Sequence, residues 1–316
     1  MKKITTAGFC ILSACVFLCV QCFGEIKRGD IFIVKKGCYV PVFTSWDVNL
    51  IYEIGSEGTN CYRLDTVLWS DTAIRVINVL RNKNVEVEFF LSDRVRGEGF
   101  VHLNFFDRAM VHADEETWEN TLNKKLAPLP LEKIRKIFQR CVDERVPYCY
   151  GANNFKKIDL RGMYEFTAGN TPSALNRPYE LRGFDSSGLL HFVSNGILPH
   201  CTHGLDRMDQ VIFIFDTKKK HSLEEKRMVL GMMQDSDYVV IRQQKNRFRT
   251  SKANSVLISF NGGFLEFRNH NDGLVYTRKK NALERLNFLL EEGLKKGGNL
   301  VVIRWHSELL GEEMNY

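Results

Sequence analysis

The sequence predicts an α+β chain of 316 residues in which a small β-barrel precedes a domain of helices and sheet. Three observations favour this fold class. Short β-rich runs separated by turn residues fill residues 25–110. Amphipathic helical patterns follow residue 130, and short apolar strands dominate after residue 238. Because helices come first and an antiparallel sheet follows them, the second domain is predicted to be α+β.

Residues 1–24 are predicted to be a secretory signal outside the fold. Lys2 and Lys3 form a positive start, and residues 4–23 are almost uncharged and mostly apolar. Cleavage after Gly24 is favoured. Residues 12–15 also resemble a bacterial lipobox, which would leave a lipid on Cys15, and about twenty apolar residues could remain as a membrane anchor. The predicted location is the periplasm or cell envelope, with membrane contact only through the signal or a lipid at Cys15.

Residues 25–110 predict a small barrel of five or six strands. Strand-like runs occupy Ile31–Val34, residues 72–80 and residues 85–91. The stretch from Val85 to Phe89 alternates strictly between apolar and acidic side chains, as a half-buried strand does. Residues 99–103 close the block, and a small barrel is the simplest way to bury such strands.

Residues 111–130 are predicted to be a helical linker with Asp114 as its N-cap and prolines at 128 and 130. Residues 131–316 form the second domain. It opens with an amphipathic helix from Leu131 that Pro147 ends. Another helix is expected to start near Asp185 and to end at Gly196. The later elements are predicted as a strand at Val211–Phe215, a charged helix at 222–233, strands at 238–241, Val256–Phe260, 264–267 and Leu274–Thr277, a helix at 281–296 and a last strand at 300–305.

Charge and cysteine content exclude several classes of function. The net charge is +6 and lysine and arginine are spread along the chain apart from short runs such as residues 218–220, so a nucleic-acid partner is not expected. Five of the nine cysteines lie beyond residue 24, an odd number without regular spacing. A single bridge such as Cys38–Cys61 stays open. Beyond residue 24 there is no CxxC pair, the cluster His200, Cys201 and His203 is a weak metal candidate, and neither a metal nor a cofactor is predicted.

Residues 183–190 carry the most informative chemical signal. They predict a loop that enters the first turn of a buried helix, with Ser186 at the helix start. Unpaired backbone N–H groups converge at such a position and the helix dipole favours negative charge there. A cysteine at this position would have its thiolate stabilised, with a pKa lowered from about 8.5 to roughly 3.5–7.5.

Three segments together resemble the NlpC-type papain-like cysteine peptidases of bacterial cell walls. Residues 147–151 resemble the aromatic-glycine motif of that family, and residues 184–189 resemble its nucleophile motif. Residues 255–266 resemble the strand-turn-strand that carries the base and its orienting partner. The likeness spans residues 130–306. Residues 99–103 also resemble the final strand of bacterial SH3-like domains, so the resemblance implies an SH3-like barrel in front of a papain-like domain.

The resemblance implies a peptidoglycan endopeptidase. Such enzymes cut stem peptides between D-γ-glutamate and a diamino acid such as meso-diaminopimelate, and their SH3-like domains often restrict the site to a short peptide with a free amino end. In this pattern Ser186 stands at the nucleophile position, Ser255 at the position of the base and Glu266 at the third, orienting position. The substrate-contacting positions would be Tyr148, Asp185 and Ser187. The implied partners are peptidoglycan or muropeptides.

The sequence departs from the family twice, because Ser186 replaces a cysteine and Ser255 replaces a histidine. A serine hydroxyl is a weak nucleophile without an adjacent base. Losing a member of such a catalytic unit costs on the order of 10⁶ in rate. A helix dipole contributes about 0.3–1 kcal/mol, whereas each tenfold in rate needs about 1.36 kcal/mol.

Two alternative sources of catalysis are open. His203 could fold back over the cleft as a substitute base, while His191 and His270 are weaker candidates. A serine hydrolase with a nucleophile elbow would need glycine at position 184, where Phe184 stands. Two hypotheses follow: an endopeptidase-like protein with reduced or lost activity, or a non-catalytic module that binds muropeptides or a protein partner.

Overall fold

The computed structural model describes residues 25–306 except 45–52, 56–57, 61–63, 82, 93–94, 124–126, 150, 160–179, 201, 207, 209, 244–255 and 268–272. The predicted signal, with its alternative lipid site at Cys15, lies outside the described residues. So do Cys61, Cys201, Ser255 and His270. His203 belongs to a short described helix, but its side chain is outside the description.

The first part of the chain forms a seven-stranded antiparallel sheet. Its strands are β1 (Ile31–Val34), β2 (Tyr39–Phe43), β5 (Leu64–Trp69), β6 (Ala73–Val79), β7 (Asn84–Ser92), β8 (Val95–His102) and β9 (Met110–Ala113), with a separate hairpin of β3 (Glu53–Gly55) and β4 (Gly58–Asn60). The order in the sheet is β5-β2-β8-β7-β6-β1-β9. The chain is thus a mixed α/β protein that begins with an antiparallel β region, and the SH3-like topology of that region stays a prediction.

Several elements of this region were not predicted, among them a strand and a helix that local sequence rules disfavour or leave unmarked. Strand β2 contains Pro41, which argues against a strand by composition, yet it pairs with β5 along its whole length. A short helix, α1 (Leu103–Ala109), follows β8 directly. In its first turn the backbone N–H of Asn104 donates to Nδ1 of His102 at 3.3 Å. Both elements depend on contacts with distant strands, and local propensity does not reveal such contacts.

The predicted linker is partly helical and partly strand. Residues 110–113 form β9, which pairs with β1. Helix α2 (Glu115–Leu122) follows, and its N-cap is Asp114, whose Oδ1 accepts the backbone N–H of Thr117 at 2.9 Å, as the sequence predicts. Trp118 of α2 is buried against the sheet, so this helix is attached to the first domain.

The second part of the chain is a six-stranded antiparallel sheet with helices on both faces. The elements are α3 (Leu131–Asp143), β10 (Asn153–Asp159), β11 (Glu180–Phe184), α4 (Ser186–Val193), α5 (Thr202–Leu205), β12 (Val211–Phe215), α6 (Leu223–Met232), β13 (Tyr238–Gln243), β14 (Val256–Phe260), β15 (Gly263–Phe267), β16 (Leu274–Thr277), a 3-10 turn (Lys279–Asn281), α7 (Ala282–Lys296) and β17 (Gly298–Ile303). The sheet order is β12-β17-β13-β14-β15-β16.

Each face of the six-stranded sheet has its own core. Helices α3 and α4 cover one face, where Phe138 of α3 packs edge-on against Phe260 of β14 at 5.7 Å between ring centroids. Helices α6 and α7 cover the other face, where Leu286 and Leu289 meet Leu257 of β14. Fully burying one such side chain contributes about 1.5–3 kcal/mol, so each layer is held by many comparable terms.

Hairpin β10–β11 joins the two parts of the molecule. Although it lies within the second domain by sequence, Ala152, Ile158 and Leu181 pack into the hydrophobic core of the first sheet. A Cβ on Gly151 would lie 2.1 Å from the carbonyl oxygen of Leu64, so the hairpin approaches β5 at backbone distance. This contact places β5 beside the start of α4.

Helix ends are where the sequence and the structure can be compared most directly. Helix α7 ends as predicted at Gly297, which takes the left-handed φ of 66°. Helix α4 instead ends at Ser194, and Gly196 with φ of 90° belongs to the following turn. Helix α3 stops at Asp143, before Pro147. Among the described residues, no helix has both the length and the apolar character needed to cross a bilayer.

The three cysteines that the structure describes are free thiols. Cys38 is among them, so the suggested bridge to Cys61 does not form. Cys141 lies on the buried face of α3, and burial raises the pKa of its thiol to about 12. Cys141 is therefore an unreactive thiol.

Candidate functional site

Asp185 organises the start of α4 and is the single residue that connects β11 to this helix. Its Oδ1 accepts the backbone N–H of Gly188 at 2.6 Å and the hydroxyl of Ser187 at 2.7 Å. Its Oδ2 accepts the backbone N–H of Gly151 at 2.8 Å. Asp185 is therefore the N-cap of α4 and also ties the helix to the residues that precede β10.

Glycine at position 188 lets the helix start approach its neighbours closely. A Cβ there would lie 2.1 Å from the carbonyl oxygen of Ala152 and 2.7 Å from Nε2 of His200. Any larger side chain would push the first turn of α4 away from the β10 segment. The Ser-Gly sequence after Asp185 thus has a packing reason in addition to its likeness to a peptidase motif.

Ser186 is the first residue of α4 and is 8 % exposed. Three and four positions along the helix come Leu189 and Leu190, which pack in the core against β14 and β15. Residues at these spacings share one helix face, so Ser186 faces the sheet at its edge. Within the described ranges no hydrogen bond engages its hydroxyl. The predicted nucleophile position is therefore at the helix start and turned toward the sheet.

Tyr148 lies beside this helix start. It forms an isolated parallel bridge with Phe184, and the neighbouring Cys149 N–H donates to the Phe184 carbonyl at 3.1 Å. The Tyr148 ring centroid lies 6.4 Å from that of Phe267 at the end of β15. Phe184 directly precedes Asp185, so the structure brings Tyr148 to the same end of the sheet as Ser186.

Glu266 is not on this side of the sheet. Its neighbours Leu265 and Phe267 face α4, and side chains alternate along a strand, so Glu266 faces α7. There its carboxylate makes a short ion pair with Arg285, and the Glu266 side chain is 2 % exposed. The structure therefore does not bring Glu266 and Ser186 together. Ser255, the predicted position of the base, is outside the described residues and directly precedes β14.

His191 does not serve Ser186 either. It lies within α4 on the side away from Ser186, its ring stacks on His200 at 5.3 Å, and its Nδ1 lies 2.6 Å from the Leu198 carbonyl oxygen. Burial, together with the nearby His200, lowers the pKa of His191 to about 3. This histidine is neutral and structural at physiological pH.

His200 is a residue of this region that the sequence did not single out except as a weak metal ligand. Its side chain is 7 % exposed, and its Nδ1 lies 3.0 Å from Oγ1 of Thr66 in β5. Its Nε2 lies 3.9 Å from Oδ1 of Asp185 and is buried without a hydrogen-bond partner in the described part of the chain. His200 packs on the side of α4 that carries Gly188, opposite Ser186.

The first domain contributes to this cluster through β5. Asn153 is buried and accepts the backbone N–H of Val67 at 3.1 Å, while its amide reaches Thr66 Oγ1 at 3.4 Å. Burial raises the pKa of Asp65 on the same strand, an effect that His200 opposes. Sequence reasoning missed this junction because one buried asparagine and one histidine carry no signal of the strand they will meet.

Metal chemistry has no support in the described residues, where no group of three His, Cys, Asp or Glu side chains is arranged to hold an ion. His200 is engaged with Thr66, and Cys201 and the His203 side chain lie outside the description. What the site offers is a helix start capped by the Asp185 carboxylate, a hydroxyl at its first residue and an aromatic side chain nearby.

Comparisons with known proteins add little to these observations. No protein-family model matches the chain, and no curated protein matches it. Among solved structures, NlpC1 from Trichomonas vaginalis is similar to this chain at 10 % sequence identity with a TM-score of 0.31, over 90 % of this chain and 95 % of that one. A TM-score this low does not establish a common fold. Any function of this chain must therefore be argued from its own residues.

Proposed function

We propose that this chain is an exported, endopeptidase-like protein of NlpC type that binds peptidoglycan stem peptides of the D-γ-glutamyl-diaminopimelate type, with little or no hydrolysis. One observation carries the proposal. Asp185 caps a helix whose first residue, Ser186, is turned toward an antiparallel sheet, with Tyr148 beside it. That is the arrangement that two of the family-like segments, residues 147–151 and 184–189, imply, with serine in place of the thiol, whereas Glu266 of the third segment faces the other side of the sheet.

The weak hydrolysis follows from the chemistry of Ser186. Its hydroxyl needs a base within hydrogen-bond reach to become a nucleophile. His191 is held by the Leu198 carbonyl and His200 by Thr66, both on the other side of α4. Position 255 is serine, so the base of the family is missing as well. A loss on the order of 10⁶ in rate is expected from such a change.

Binding does not need the nucleophile. The backbone N–H groups of Ser186 and Ser187 in the first turn of α4 can donate to a peptide carbonyl, and Tyr148 offers a ring against which a short peptide can pack. The groups of Asp185 and Ser187 are occupied with each other and with the Gly151 and Gly188 N–H groups, so their contribution to substrate binding is to hold this surface in shape.

A non-catalytic binding module is the second candidate. It is favoured by the position of His191 and His200 on the side of α4 away from Ser186, where neither can take its proton. In this function the protein would capture muropeptides or a partner and release them unchanged. The two candidates share the surface formed by Ser186 and Tyr148 and differ only in turnover.

One experiment separates the candidates. The chain without residues 1–24 is incubated with a γ-D-glutamyl-diaminopimelate tripeptide, and products are followed by mass spectrometry while binding is followed by calorimetry. Binding without cleavage supports the binding module. Cleavage that Ser186→Ala abolishes supports an enzyme, and Ser222→Ala at the exposed cap of α6 is the matched control. Neither binding nor cleavage would overturn the proposal.

A further inference from the structure

A cleft of about 560 Å³ lies on the face of the six-stranded sheet opposite Ser186. One wall is the edge strand β16 and the residue after it, at 275–278. The other wall is the start of α7, which contributes Arg285 and Phe288. The size is within the range of ligand sites, and the cleft shares no lining residue with the α4 start.

The strand wall of the cleft presents unused backbone groups. Strand β16 is the last strand of the sheet, and the Leu274 N–H donates to Val146 on the side away from β15. Backbone groups alternate in direction along a strand, so the Tyr276 N–H and C=O also point out of the sheet. Across the described ranges no hydrogen bond engages them. An open edge of this kind accepts an added extended chain.

The charge of the cleft is mainly positive. Lys280, Arg278 and Arg285 line it against one carboxylate, that of Glu284. Within the described part of the chain neither Arg278 nor Lys280 forms an ion pair. An anionic group could therefore enter without displacing an existing carboxylate from either of them.

The third cation is held in place by the protein. Arg285 pairs with the buried Glu266, and its guanidinium lies 4.3 Å from the ring centroid of Phe288, which is 49 % exposed. Its Nε is buried with no hydrogen-bond partner in the described residues. A fixed guanidinium beside a partly exposed ring suits a ligand that has a carboxylate next to an apolar group.

We propose that this cleft binds an extended acidic peptide, which adds to the edge of β16 and directs a carboxylate to Arg278, Lys280 and Arg285. The backbone groups of Tyr276 fix the direction of the added strand. The three cations select carboxylate side chains, and the ring of Phe288 packs against an apolar residue two positions away, on the same face of the added strand. This site is independent of the function proposed for Ser186.

The test is fluorescence anisotropy of the purified chain with a labelled peptide of about seven residues in which glutamate and valine alternate along one face of the strand and threonine occupies the other face. The matched peptide with glutamine in place of glutamate is expected to bind at least roughly tenfold more weakly. Lys280→Gln should weaken binding of the acidic peptide roughly two- to fivefold, in the range of an exposed charge pair. Lys279→Gln is the control, because Lys279 has the same charge but packs against the turn at Gly262 outside the cleft.

Three results would overturn the proposal: equal binding of the two peptides, equal losses in Lys279→Gln and Lys280→Gln, or displacement by free glutarate at the concentration of the peptide. The last would show that the strand edge contributes nothing. Retained binding in Ser186→Ala, and no competition from the stem tripeptide, would show that the two sites are separate, whereas loss of binding in that variant would contradict the location proposed here.

Discussion

Nε2 of His200 lies 3.9 Å from Oδ1 of Asp185, the carboxylate that caps α4. The same histidine reaches Thr66 of β5 through Nδ1 at 3.0 Å. A single imidazole therefore stands between the first sheet and the helix start that carries Ser186. The geometry of the candidate site depends in this way on a domain that contributes no reactive group.

Removing the Asp185 carboxylate should destabilise the protein more than removing an ordinary helix cap. Asp185→Ala loses the cap of α4 and also leaves the Gly151 N–H without its acceptor. We expect a loss of about 2–4 kcal/mol in the free energy of unfolding, which combines a cap with one unsatisfied N–H. Urea denaturation followed by circular dichroism measures it.

The control is Asp114→Ala, which removes the cap of α2 and nothing from the domain junction. The loss there should be clearly smaller, because Thr117 is near solvent and its N–H can bond to water. Equal losses in the two variants would mean that Asp185 acts only as a local cap and that the link to Gly151 is energetically silent.

Glycine at position 188 should be required despite its poor helix propensity. Gly188→Ala places a Cβ 2.1 Å from the Ala152 carbonyl oxygen and 2.7 Å from His200 Nε2. We expect destabilisation by about 1–3 kcal/mol, the usual cost of overpacking. Gly231→Ala in α6 meets no atom within 4 Å and should instead stabilise by about 0.5–1 kcal/mol. Thermal denaturation of both variants compares the opposite signs, and a stabilised Gly188→Ala would contradict the packing.

Several features of α4 and its surroundings can be predicted from the sequence alone. Local rules of capping, periodicity and turn chemistry account for the capped start at Asp185, the inward side chains of Leu189 and Leu190, and the hairpin at Asn261. These rules concern residues close in the chain, so they transfer directly to the structure.

The rest of the site depends on contacts between distant residues. Nothing local shows that Asn153 will bond to β5, or that His200 will face Asp185. The direction of Glu266 depends on the register of β14 and β15, in which Ile258 is opposite Leu265, and a shift of one residue would reverse it. The resemblance to the family motif gives the position of Glu266 along the strand but not the face of the sheet on which its side chain lies.

Acid should destabilise the protein through His191. Its pKa is lowered to about 3 in the folded state by burial and by His200, whereas an unfolded histidine titrates near 6.5. Between these two pKa values the unfolded chain therefore binds a proton at His191 that the folded chain does not bind. Stability is full above about pH 6.5 and falls as the pH drops from there toward about 3, by about 2 kcal/mol at pH 5.

His191→Gln tests this by removing the titrating group. The slope of unfolding free energy against pH between 6.5 and 4 should become flatter in this variant, even if its stability at pH 7 is lower. His112→Gln, which removes an exposed histidine of β9, should leave the slope as it is. An unchanged slope in His191→Gln would show that other groups govern the acid sensitivity.

If the function proposed for Ser186 is correct, a cysteine at position 186 together with a histidine at position 255 should create activity. Ser186→Cys supplies a thiol at the start of α4, where the helix dipole stabilises a thiolate. Ser255→His supplies a base at the residue before β14. We expect the paired variant to cleave the γ-D-glutamyl-diaminopimelate tripeptide at least about a hundredfold faster than the unmodified chain, in line with general base catalysis.

Each single variant is the control for the pair, and neither should exceed the unmodified chain by more than a small factor, because nucleophile and base act as a unit. Mass spectrometry of the two products measures the rate. A folded double variant that binds the tripeptide and does not cleave it would show that position 255 is not beside Ser186.

Substitutions of Glu266 show whether its carboxylate is structural or helps catalysis. Its carboxylate is buried with Arg285 on the α7 face, so breaking the pair should destabilise the chain by about 3–5 kcal/mol in Glu266→Ala. Replacing both partners, as Glu266→Leu with Arg285→Leu, should recover most of that loss because no unpaired charge remains.

If Glu266 only pairs with Arg285, then Glu266→Gln added to the Ser186→Cys and Ser255→His variant will lower its stability and keep its activity per folded molecule. A fall in kcat with folding intact would instead show that the carboxylate reaches around the strand to orient the new histidine.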